Sequence, residues 1–333
     1  MTDAPPLLEL RGVSQQYRAR GAFRRQASVR ALSGVDLSVR ANLTTCIIGE
    51  TGSGKTTLGR VLVGLTIPSG GVVLYRGRSI AQLRGQAWQE YRRSVQMVFQ
   101  NPTGSFNPML TVGASIRDAL RFSPVPGAAS IRNVARLLEQ VELAPQLAGR
   151  YPDEVSGGEL QRASIARALA TEPALLFLDE PASALDVSIR GQIFNLLRSL
   201  QGEHGLAYVM VSHDMATVRV LSDVVFVLYL GEPVEYARNR TFHQPAHPYS
   251  LALLSASPVE AERRKIRRLD LQDVGPSTSP PAPGCPFQPR CWLHVELNRP
   301  ERCLVEKPRL SPIEPDHEVA CHYADQSSAR ATK

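Results

Sequence analysis

Apolar and polar positions fall into successive textures along the chain. Short β-prone stretches come first, at Leu7–Leu10 and Val35–Val39, separated by a polar, arginine-rich insert. Cys46-Ile47-Ile48 then reads as a buried strand that runs straight into a glycine-rich turn. Leu58, Val61, Leu62 and Leu65 recur at helical spacing, which predicts a helix over Lys55–Leu65 with Ser69-Gly70-Gly71 as its stop. From Asn101 to Asp153 the texture is punctuated by prolines and helical, with Ile131, Val134, Leu138 and Val141 on one face. Strands return after Glu172, where Ala174–Leu178 and Ala207–Val211 are uninterrupted apolar runs of the kind covered on both faces.

This order predicts an α/β fold in which a helical subdomain, about residues 101–172, is inserted between parts of a parallel sheet. Past Tyr236 the composition shifts, and Gly275–Pro289 is rich in Pro, Ser and Gly. The expected division is therefore residues 1–235 and residues 236–333.

A length of 333 residues accommodates that division, and 43% apolar with 21% charged residues is ordinary globular composition. The N-terminus has no basic stretch followed by an apolar core, so no secretory signal is expected. The longest apolar runs, such as Val224–Leu230, fall far short of the ~20 residues that span a bilayer. A soluble, cytoplasmic chain is expected, touching a membrane only through a partner. The net charge of +7 suits several partners, but the basic runs Arg18–Arg30 and Arg263–Arg268 lack the interleaved aromatics of a base-stacking surface. They read as solvated loop charge, and nucleic acid is not an expected partner.

Gly49-Glu50-Thr51-Gly52-Ser53-Gly54-Lys55-Thr56 fits the phosphate-loop pattern G-x-x-x-x-G-K-[ST], with a strand before it and a helix after it. The glycines let backbone N–H groups point inward, the helix N-terminus adds positive dipole, and Lys55 brings a charge to the terminal phosphates. The Thr56 hydroxyl is placed for Mg²⁺, and Thr57 completes the expected nucleotide-binding set. The loop alone does not separate ATP from GTP. Leu175–Leu178 ends in Asp179-Glu180, where Asp179 is expected to hold Mg²⁺ and Glu180 to act as general base on the attacking water.

Ser156-Gly157-Gly158-Glu159-Leu160-Gln161-Arg162, just before those acids, resembles the signature motif of the ABC ATPases. The resemblance implies a P-loop (RecA-like) core with an inserted α-helical subdomain, an N-terminal antiparallel β-subdomain and a small irregular Cys-rich C-terminal segment. It also implies that Ser156, Gly157, Gly158 and Glu159 grip the γ-phosphate held by a second cassette. By the same resemblance Gln100 is the Q-loop residue that touches Mg²⁺, Asp186 belongs to the D-loop, and His213 is the switch histidine that orients Glu180. Tyr17 resembles the aromatic that stacks on adenine. Where the signature usually carries Gln the chain has Glu159, which leaves open a tolerated solvent-facing change or a weakened half-site.

His247-Pro248-Tyr249-Ser250, then Gly284-Cys285-Pro286-Phe287 through Arg290-Cys291, is similar to the tail of ATP-binding subunits of oligopeptide, dipeptide and nickel importers. That implies ATP hydrolysis powering peptide import at the cytoplasmic face of the plasma membrane. The implied partners are a second ABC ATPase subunit, two permease subunits and an extracytoplasmic substrate-binding protein. Import of nickel or another small solute, and a soluble non-transport ABC ATPase, are the alternatives. Four of the five cysteines, Cys285, Cys291, Cys303 and Cys321, crowd the end of the chain without paired C-x₂-C spacing. Their number suits a metal set, and the similar tails imply a [4Fe-4S] cluster on all four, with Zn²⁺ as the alternative. His294, His317 and His322 lie near enough in sequence to replace a ligand, and Cys46 reads as a small buried hydrophobe.

Overall fold

Leu8, Leu10 and Val13 bury one face of β1 (Leu8–Arg18), which pairs antiparallel with β2 (Ser28–Val39) in the register Leu8↔Val39 and Leu10↔Leu37. The computed structural model describes residues 5–18, 28–269 and 283–332. Most of the arginine-rich insert therefore lies outside the described residues, as do residues 275–282 of the Pro/Ser/Gly-rich stretch. β3 (Thr44–Ile48) leaves this layer for a second sheet. β4 (Gly70–Tyr75) and β5 (Arg78–Ser79) return to complete the first, in the order β2-β1-β4-β5.

The second sheet adds β6 (Val95–Val98), β7 (Leu175–Asp179), β8 (Ala207–Val211) and β9 (Val224–Tyr229), all parallel to β3 or to one another. β10 (Glu232–Arg238), β11 (Ser311–Glu314) and β12 (His317–Val319) extend it antiparallel, giving the order β11-β12-β10-β9-β3-β8-β7-β6. Every residue of β3, β7, β8 and β9 is buried, as the unbroken apolar runs require of a sheet covered on both faces. Ile47, Phe177, Val209 and Phe226 face a core shared with the first sheet. Ile48, Leu176, Met210 and Val225 face the opposite core, with Ile116, Leu138 and Ile165 from the helices Val112–Leu120, Ile131–Gln140 and Gly157–Leu169. Those helices lie between β6 and β7, where the inserted subdomain was expected.

Two helix details differ from the periodicity. The helix predicted over Lys55–Leu65 ends at Leu62, because Gly64 takes φ 71° and turns the chain, leaving Leu65 52% exposed. Ile131 is 79% exposed at the first position of its helix, and Leu137 joins Val134 and Leu138 in the core instead. The 235/236 position falls inside β10, whose Glu235 accepts N–H bonds from Ala246 and His247 and faces His317 Nε2 at 2.7 Å. The C-terminal region is thereby stitched into the main sheet.

Candidate nucleotide site

β3 delivers the chain into a loop that only small residues can line. A Cβ on Gly49 would lie 2.3 Å from the Leu228 carbonyl oxygen, and one on Gly54 would lie 2.4 Å from that of Ala31. The helix Lys55–Leu62 begins at once, so its free N–H groups face the loop. Lys55 is buried and donates to the Gly49 and Glu50 carbonyls at 2.8 and 2.7 Å. Burial lowers the Lys55 pKa, while Glu180, Asp179 and Glu50 pull it back up. Ser53 Oγ is buried with no protein partner, the sort of group a phosphate oxygen satisfies. Thr51 and Thr56 are exposed at the loop surface and Thr57 is half-buried.

Asp179 ends β7 and Glu180 follows it, both close enough to act on the charge of Lys55. Asp179 is buried and its pKa is raised by desolvation and by Glu180; a hydrogen bond with Thr56 and the charge of Lys55 oppose the rise. Thr56 and Asp179 thus already form an adjacent pair of oxygen donors suited to Mg²⁺. Glu180 takes φ 46°, unusual for a residue with a side chain, and its N–H donates to the Val211 carbonyl on β8 at 3.2 Å. One Glu180 carboxylate oxygen accepts from Gln100 Nε2 at 3.0 Å, and the other lies 3.3 Å from His213 Nδ1. Gln100 therefore binds the glutamate in this conformation; the contact with Mg²⁺ that the resemblance implied for it is a separate expectation. His213 follows β8 and its side chain is 62% exposed.

Ser156 caps the helix Gly157–Leu169 reciprocally with Glu159. The Glu159 N–H donates to Ser156 Oγ at 3.3 Å, and Glu159 Oε2 accepts from the Ser156 N–H at 2.8 Å and its hydroxyl at 2.7 Å. These bonds hold the Glu159 carboxyl below the usual range. The carboxylate is thus turned back onto Ser156, a role that the sequence reading did not assign. The tip packs on the D-loop side: a Cβ on Gly158 would lie 2.9 Å from Ile189, and one on Gly157 lies 3.7 Å from Leu185. Asp186 starts the helix Val187–His204, and Arg190 from that helix holds the Leu185 carbonyl at 3.1 Å. Tyr17 is 37% exposed on β1 in register with Val29, two residues before the Ala31 carbonyl that abuts Gly54.

Tyr249 and Arg290, to which the sequence assigns no role at the loop, both reach it. The Glu50 N–H donates to Tyr249 Oη at 2.7 Å, and Arg290 binds both oxygens of the Glu50 carboxylate at 2.7 and 3.0 Å. Nothing periodic links positions so far apart in sequence. Cys285, Cys291, Cys303 and Cys321 line a single cavity of about 20 Å³, beside His294, whose Nδ1 is buried and unpaired. Burial raises their pKa values, to about 11 for Cys285 and about 12 for Cys291 and Cys321. Among the described residues no three Cys, His, Asp or Glu side chains stand close enough to clasp one metal ion. His317 pairs with Glu235 rather than facing the thiols, His322 bonds the Glu306 carbonyl, and Cys46 is a buried thiol in β3.

A glycine loop after a buried strand, two acids where another strand of the same sheet ends, and a serine-capped glycine helix tip define an ATP-binding cassette. Residues 32–183 match the ABC transporter family, and residues 234–297 match the oligopeptide/dipeptide transporter C-terminal region. The probable peptide ABC transporter ATP-binding protein y4tS of Sinorhizobium fredii is 41% identical over 99% of this chain and 92% of its own. The oligopeptide transport ATP-binding protein AppF of Bacillus subtilis is 40% identical over 95% and 97%, respectively. Among solved structures, the dimeric ATP-binding cassette MJ0796 with ADP and Pi is 29% identical. It superposes with a TM-score of 0.62, covering 70% of this chain and 99% of that one. The chain belongs to the ABC transporter family as an ATP-binding, ATP-hydrolysing subunit. Its C-terminal region carries the oligopeptide/dipeptide transporter type of tail.

Proposed function

We propose that this subunit powers peptide import, with the residues described above as the working parts of one composite ATP site. The relatives named for peptide transport align over nearly the whole chain, tail included, which favours peptides over nickel and over a non-transport ATPase. Among the described residues no helix is long and apolar enough to cross a membrane. In this reading the subunit acts peripherally, on the cytoplasmic face, through two permease subunits supplied by an extracytoplasmic binding protein. A second cassette meets it head to tail, so that Ser156, Gly157 and Gly158 close on the partner's nucleotide.

The carrying observation is Glu180, held between Gln100 and His213 at the mouth of the loop. In hydrolysis Lys55 leaves the loop carbonyls for the terminal phosphates, and Tyr17 supplies the adenine contact. Mg²⁺, which Thr56 and Asp179 would hold, would supply charge neutralisation for the phosphates. Glu180 accepts the proton of the attacking water, and His213 keeps its carboxylate aimed; Gln100 releases Glu180 as the site closes. Glu180→Gln is expected to retain ATP binding while its turnover falls roughly 10²–10⁴-fold, and Lys55→Ala to lose binding itself. Filter binding and phosphate release on the complex with its permease measure both. Turnover within a few fold of wild type in Glu180→Gln would sink the assignment.

Cys285, Cys291, Cys303 and Cys321, which line one cavity, are by their chemistry the donors that would hold a [4Fe-4S] group, although as placed no three of them stand close enough to share one metal ion. Such a group supplies covalent cross-links between segments far apart in the tail. Zn²⁺ is the alternative occupant of the same thiols.

A further inference from the structure

Glu50 puts a negative charge in the one loop whose task is to receive a polyanion. The structure meets that charge from the far end of the chain. Arg290 donates through Nη1 to Glu50 Oε2 at 2.7 Å and through Nη2 to Oε1 at 3.0 Å, a two-pronged pair between groups 240 positions apart. The Arg290 side chain is only 6% exposed, and its guanidinium lies 5.8 Å from the centre of the Tyr229 ring. Tyr229 packs against Tyr249 at 4.7 Å and Phe287 at 5.2 Å between ring centres. Tyr249 in turn accepts the Glu50 backbone N–H. Main chain and side chain of Glu50 are thus both held by the C-terminal region. Arg290 ends the turn Gln288–Arg290 and is followed directly by Cys291, which lines the thiol cavity.

We propose that Arg290 is a positioning residue of the nucleotide site: it cancels the charge of Glu50 and anchors the entry of the loop, so the C-terminal segment completes the phosphate site. The inference rests on residues 49–56 being that site. Removing the guanidinium leaves a bare carboxylate beside the bound phosphates and frees the loop that presents the N–H groups. Removing both charges abolishes the repulsion, so the two substitutions should not add.

The test is the dissociation constant of Mg-ATP for the full chain, measured by equilibrium dialysis on wild type, Lys55→Ala, Arg290→Gln, Glu50→Gln and Arg290→Gln/Glu50→Gln. Thermal melts verify that each variant folds. Arg290→Gln should weaken binding roughly tenfold and change affinity less than about threefold once Glu50 is Gln. The loss should also shrink as salt screens the exposed carboxylate, a response that simple loss of packing does not give. Arg290→Lys keeps the charge without the fork, should fall between wild type and Arg290→Gln, and carries the test if Arg290→Gln does not fold. Wild-type affinity in Arg290→Gln or in Arg290→Lys, or strict additivity with Glu50→Gln, overturns the inference, provided Lys55→Ala abolishes binding. If Lys55→Ala binds normally, the phosphate-site reading itself has failed.

Discussion

Glu180 and Glu159 show how one side chain's surroundings assign its work. Glu180 sits at φ 46°, a conformation costing on the order of 1–3 kcal/mol, which aims its carboxylate away from β7 toward Gln100 and His213. Glu159 instead turns back on Ser156, and the spacing Ser-x-x-Glu is itself a capping-box signature that the sequence carried. Its folded pKa is lowered, so its contribution is present above the carboxylate's unfolded value and is lost as pH falls through the lowered one. Glu159→Ala is expected to cost up to about 1 kcal/mol near neutral pH, the difference fading in acid, as urea unfolding at the two pH values will show. An equal loss at both pH values would contradict the cap. Glu159→Gln preserves an acceptor for Ser156, and hydrolysis with the partner cassette should stay near wild type.

The helix Lys55–Leu62 and strand β7 together hold the site's geometry. Gly59 has no side chain because the Phe177 ring occupies that space: a Cβ there would lie 2.2 Å from it. The close approach brings Thr56, one turn earlier, within hydrogen-bonding reach of Asp179 at the strand's end. Gly59→Ala should therefore destabilise the fold by about 1–3 kcal/mol through overpacking and weaken Mg-ATP binding as the helix is pushed off the sheet. Adding Phe177→Leu should recover part of both losses. Calorimetry and nucleotide titration measure the pair, and unchanged affinity in a destabilised Gly59→Ala would separate packing from the site. Helical spacing announced this helix and its buried face, but its end at Leu62 was set by the turn at Gly64.

Across the molecule, the tail is woven into the cassette by β10 and β12, by Glu235 with His317, and by Arg290 with Glu50. Its four thiols, raised by burial, stay protonated near neutral pH unless a metal displaces their protons, so loading should improve as pH rises and fail as it falls. Anaerobically purified protein is expected to contain iron and acid-labile sulfide, and replacing all four cysteines with serine should remove both and lower the melting temperature. Colourless, zinc-loaded protein would remove the cluster. The strand, glycine loop and helix around Lys55, the acids where β7 ends and the serine-capped helix at Gly157 were legible as local structure because each is a run of neighbours whose spacing matches one local geometry. The joint between loop and tail was not legible, nor were Glu180's two partners as a set, and the shared cavity of the four thiols was implied only by the resemblance of the tail. These depend on which distant segments the sheet order brings together, and no local period encodes a contact made across the whole length of the chain.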